Sequence, residues 1–60
     1  MAGNDLPALM SVAELAAFLQ VPIKTIYTWR SQGIGPKGIK VGRYVRFARS
    51  EVSRWLSTLS

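Results

Sequence analysis

Lys24, Tyr27, Thr28 and Ser31 recur at the spacings that place side chains on one face of a helix. Together they offer an ammonium, a phenol and two hydroxyls, with no carboxylate among them. Hydrogen-bonding groups and positive charge without negative charge suit base edges and phosphates in a DNA groove. Ile26, Trp29 and Arg30 fall on the other side of the same segment. Taken alone, residues 21–30 read equally well as a core helix with an ordinary wet face. A second basic group, Lys40, Arg43 and Arg46, lies in a stretch that alternates apolar and basic residues, so these three cations are expected at the tip and outer face of a strand pair.

The elements that position these groups are legible in order. Ser11 and Glu14 form a capping box, and Met10 and Leu15 can make the accompanying hydrophobic staple. Val12, Leu15, Ala16 and Leu19 then give one buried stripe, with Phe18 half exposed at its margin. Gln20-Val21-Pro22 ends this helix, because proline lacks an N–H and restricts the residue before it. Pro22 is suited to open a second helix running to about Gln32, where Gly33 can take the left-handed C-terminal position. Two helices so closely joined form a helix-turn-helix, with Val21 plugging the corner.

After the turn-rich connector Gly33-Ile34-Gly35-Pro36-Lys37-Gly38, Ile39-Lys40-Val41 and Val45-Arg46-Phe47 have the period of a half-buried hairpin. A three-residue loop, or an equivalent bulge, would pair Val41 with Val45 and Ile39 with Phe47 and keep the apolar residues on one face. Ser50 is expected to cap a last helix with Val52, Trp55, Leu56 and Leu59 inward and Glu51 in its first turn. Both tryptophans therefore read as core residues, not as platforms for bases. The order is helix, helix, hairpin, helix: mainly α with a small β-hairpin.

Composition narrows the partner. In this 60-residue chain, residues 1–23 carry Asp5 and Glu14 and no basic side chain, whereas residues 24–60 hold all eight lysines and arginines against Glu51 alone. That asymmetry points to a polyanion, most commonly nucleic acid. Basic residues scattered over a helix, a loop and a strand pair do not make the long amphipathic helix that an anionic membrane would bind. No apolar run approaches the ~20 residues of a membrane span, and a cytoplasmic protein is expected. With no histidine or cysteine, the usual bases, nucleophiles and zinc ligands are missing. No enzyme activity, metal or cofactor is expected.

Several motifs together carry a resemblance: Ser11-Val12-Ala13-Glu14-Leu15-Ala16, Val21, Ile26-Tyr27, Gly35-Pro36-Lys37, Val41-Gly42-Arg43, Val45-Arg46-Phe47 and Arg49-Ser50-Glu51-Val52 before Trp55-Leu56. Each is weak alone, but in this order they resemble the excisionase family, small winged helix-turn-helix proteins of phages and mobile elements related to the DNA-binding head of MerR-type regulators. The resemblance spans about residues 9 to 59. It implies a winged helix-turn-helix DNA-binding domain over residues 10–60, while residues 1–9, which hold glycine, asparagine, aspartate and proline with no period, are expected to be a flexible arm. It also places Lys24, Thr25, Tyr27 and Thr28 at recognition-helix positions and Arg43 and Arg46 at wing positions. The chain departs from the family pattern at Pro22 and Ile23, where a serine cap and a basic residue are frequent, and at Thr28, where arginine is frequent.

The implied function is that of a recombination directionality factor, which bends double-stranded DNA and assists a DNA-bound integrase in excision. A small transcriptional regulator is the alternative, and a protein-interaction module using its basic face is the alternative of another class. With the DNA-binding module placed over these 60 residues, neither a sensor nor a dedicated dimerisation helix is expected. With the hairpin apolars assigned to the core, a monomer in free solution is expected, acting through neighbouring copies on DNA.

Overall fold

A computed structural model describes residues 8–59. Three helices, α1 (Val12–Leu19), α2 (Ile23–Gln32) and α3 (Arg49–Ser57), pack with three strands, β1 (Leu9–Ser11), β2 (Ile39–Val41) and β3 (Tyr44–Ala48). The strands form one antiparallel sheet in the order β1-β3-β2. Phe47, Leu15, Ile26 and Val52 are the largest fully buried side chains, contributed by β3, α1, α2 and α3 respectively. Val12 and Ala16 complete this cluster, and Met10, Leu19, Val21, Trp29, Val45 and Leu56 pack around it. The architecture is the mostly α, winged helix-turn-helix fold that the sequence implies.

Local chemistry sets the helix boundaries at the front of the chain. Glu14 N–H donates to Ser11 Oγ at 3.0 Å, and Ser11 N–H donates to Glu14 Oε1 at 2.8 Å, so the capping box is complete. At the other end of α1, Gln20 adopts φ 60°, ψ 45°. Its N–H reaches Ala17 O at 3.2 Å while Val21 N–H reaches Ala16 O at 3.0 Å. The same paired bonds close α2, where Gly33 N–H donates to Arg30 O at 3.2 Å and Ile34 N–H to Trp29 O at 2.9 Å. Pro22 stands one residue before α2 as its N-cap, with its carbonyl accepting from Thr25 N–H at 3.0 Å.

The sheet departs from the expected hairpin in two ways. First, a third strand is present: Leu9, Met10 and Ser11 pair with Ala48, Phe47 and Arg46. Of the expected N-terminal arm, residues 1–7 lie outside the described residues, while Leu9 is part of this strand. Second, the hairpin turn has two residues, Gly42 and Arg43, and pairs Val41 with Tyr44, Lys40 with Val45 and Ile39 with Arg46. The three-residue loop is therefore corrected. Gly42, at φ 63°, supplies the left-handed residue such a tight turn needs. Ile39 and Val41 consequently share the face of Tyr44 and Arg46 and remain 46% and 48% exposed. The inner face is filled by Met10 from β1 opposite Phe47, so the core does not require them. This also removes the expectation that the hairpin apolars belong to the core.

Helix α3 begins after Ala48, not at a serine cap. Its N-cap residue has extended geometry and no side-chain cap bond, and Ser50 lies within the first turn. Sheet pairing decides this boundary: Arg49 N–H donates to Ala8 O at 3.0 Å, which keeps the chain extended up to the helix. Leu59 lies beyond the end of α3 and is exposed, so the inward stripe stops at Leu56. Trp29 and Trp55 make a tilted pair with ring centroids 5.4 Å apart, joining α2 to α3. Both rings are half-buried, which accounts for them as packing residues.

Candidate nucleic-acid interface

Helix α2 is held by one fully buried side chain, Ile26, and by half-buried Trp29. Anchoring on that side turns Lys24, Tyr27 and Thr28 to solvent, with Tyr27 56% exposed. No acidic residue occurs in the helix. Ser31 is also exposed, but its hydroxyl donates to Thr28 O at 2.9 Å and so serves its own helix. Thr25 is half-buried at the margin of the exposed face. The arrangement brings an ammonium, a phenol and a hydroxyl onto one convex surface narrow enough for a major groove.

The wing offers its cations on different surfaces. Arg43 is exposed in the two-residue turn at the tip. Lys40 pairs with Val45 and therefore shares the inner-face side of the sheet, exposed on edge strand β2, whereas Arg46 stands on the outer face opposite Ile39. The expected single basic surface of Lys40, Arg43 and Arg46 is thus corrected by the register. Arg46 is also half-buried and restrained: its guanidinium lies 5.3 Å from the Tyr44 ring centroid and donates through Nη1 to Val45 O at 2.8 Å. Among the three, Arg43 is the cation most directly presented.

Among the described residues, negative charge is kept out of this region. Glu14 is engaged in the capping box of α1, and Glu51 sits on α3 with Arg54 at 3.9 Å. A model of the helix-turn-helix domain family matches residues 9–60. The chain belongs to the helix-turn-helix domain family. This family includes excisionase-type small DNA-binding proteins, in agreement with the motifs in residues 9–59, and DNA binding is the activity it implies. A search of the curated proteins found no match to the chain.

A concavity of about 670 Å³ in this helix-turn-helix protein is lined by β1, α1 and α3 and contains no residue of α2 or the hairpin. Its acid is Glu14, already held by Ser11. Among the described residues, no group of histidine, cysteine or acidic side chains could hold a metal ion, and no helix is long and apolar enough to cross a membrane. Sequence spacing assigned Arg30 to the apolar side with Ile26 and Trp29, yet it is exposed. A signal was available: Ile23, Tyr27 and Arg30 follow one another at i, i+4 and i+7, so Arg30 continues the exposed Tyr27 flank.

Proposed function

We propose that this protein is an architectural DNA-binding protein of the excisionase type, a recombination directionality factor that bends attachment-site DNA and assists an integrase in excision. The observation that carries this reading is the carboxylate-free exposed face of α2, with Lys24, Tyr27 and Thr28, in the same small fold as a wing tipped by Arg43. Helix α2 enters the major groove and the wing meets flanking phosphates or the adjacent minor groove. Lys24, Tyr27 and Thr28 face the bases, with Thr25 at their margin. Arg43 and Lys40 reach phosphates, and Arg46 contributes its charge from its seat on Tyr44.

One helix and one wing read few base pairs, too few to stand out against the ~10⁶ or more competing sites of a genome. Several copies side by side, or one copy beside a DNA-bound integrase, supply the missing selectivity, and inward pull on phosphates by successive wings accumulates curvature. The outer face of the sheet exposes four large apolar side chains, Leu9, Ile39, Val41 and Tyr44, against the roughly 20–30 residues a side of a stable interface, and on this reading the free chain is a monomer. The test is footprinting on the attachment sites of the source element, with circular-permutation gels and an excision assay containing its integrase. Bending and stimulated excision are expected. A promoter footprint that changes transcription but leaves excision unchanged would replace this role with that of a regulator.

A further inference from the structure

The connector between α2 and β2 encloses a shallow concavity of about 310 Å³, lined by Arg30, Lys37 and the glycines 33, 35 and 38. The connector lies close against the last turn of the helix because Gly35 and Gly38 lack side chains. A Cβ built on Gly35 would stand 3.3 Å from Trp29 Cβ and Cε3, and one built on Gly38 would stand 2.6 Å from Arg30 Nη1. Gly38 therefore provides the space in which the Arg30 guanidinium rests, and Lys37 is its chain neighbour. Both cations are exposed. Among the described residues the ion pair is Arg54 with Glu51 on α3, so no carboxylate neutralises either of them.

Resting on the DNA-binding reading above, we propose that Arg30 and Lys37, which line the same concavity of the glycine connector, form a phosphate-binding seat for the DNA backbone between the recognition helix and the wing. Arg30 flanks Tyr27 by one helical turn, which places the seat at the border of the exposed face of α2. Its planar fork suits two phosphate oxygens, and Lys37 adds a point charge. The C-terminal end of α2 opposes an anion with roughly half a negative charge, and the two full positive charges outweigh it. A bare helix-dipole role for Arg30 would need neither Lys37 nor the space left by Gly38. The seat would fix where the protein stands on the duplex without reading sequence, since phosphate contacts position and base contacts specify.

The test measures binding of the full chain to a target duplex and to a random duplex by fluorescence anisotropy over a range of salt concentrations. Arg30→Ala should weaken both duplexes alike, by about tenfold, and make the slope of log K against log salt shallower by about one unit. Arg30→Lys should keep the slope and lose part of the affinity, because the charge remains without the fork. Arg54→Ala removes another exposed cation, from α3, and should change neither quantity appreciably. Melting temperatures of the variants establish that each is folded at the assay temperature. If Arg30→Ala binds like the parent chain, or loses no more than Arg54→Ala, the seat is wrong while DNA binding stands. If the parent chain binds no duplex at any salt concentration, the DNA-binding reading and the seat fall together.

Discussion

Strand β3 has two faces of opposite character, although its residues differ only in parity. Val45 and Phe47 point into the core, where Phe47 meets Met10 across the sheet, whereas Tyr44 and Arg46 stand outward beside Val41 and Ile39. Alternation in a sequence shows that a strand has two faces, but it leaves open which row of the neighbouring strand lies beside which face. In β2 the apolar row is turned outward, because a two-residue turn sets the register and β1 supplies the inner apolar partner. The inner face thus holds the fold together while the outer face holds Arg46 against Tyr44.

The strongest way to break this comparison is to remove Phe47. Phe47→Ala should cost about 3–5 kcal/mol, a large part of the roughly 3–9 kcal/mol available to a domain of this size. Loss of a cooperative thermal transition by circular dichroism is the expected result, and a melting curve near that of the parent chain would contradict the core assignment. Next in size is Arg43→Ala at the wing tip. It should leave melting unchanged, weaken all duplexes several-fold and lower the salt slope by about one unit. Because Arg46 is already occupied by Tyr44 and a carbonyl, Arg46→Ala should change the slope less than Arg43→Ala does.

Smaller effects sharpen the comparison elsewhere. Ser11→Ala, which breaks the capping box, should destabilise by about 1 kcal/mol. Ser50→Ala, inside the first turn of α3, should stay within about 0.5 kcal/mol. Urea titrations of the two variants side by side check both values, and equal losses would contradict the assigned start of α3. The smallest expected effect is that of Val41→Thr on the outer face, within about 0.5 kcal/mol of the parent chain. A loss of several kcal/mol there would restore the register that pairs Val41 with Val45.

What the sequence by itself determined lies within a few residues along the chain. The capping box of Ser11 and Glu14, the break at Gln20-Val21-Pro22 and the left-handed Gly33 depend on hydrogen bonds and sterics between near neighbours. Helical periodicity likewise suffices for the buried stripe of α1 and for the solvent exposure of Lys24, Tyr27 and Thr28. The uneven charge, and with it the polyanionic partner, needs no fold at all. The tertiary structure decided what depends on distant segments meeting. Leu9 to Ser11 has too few residues to show alternation and becomes a strand only because β3 is there to pair with it. That pairing, through Ala8 and Arg49, also moves the start of α3 ahead of Ser50. The turn and the third strand together place Lys40 and Arg46 on opposite faces. Arg30 becomes a candidate phosphate ligand only where the connector folds back and Gly38 leaves it room. Short-range hydrogen bonds and sterics are written in adjacent residues, whereas register and juxtaposition depend on which surfaces the folded chain brings together.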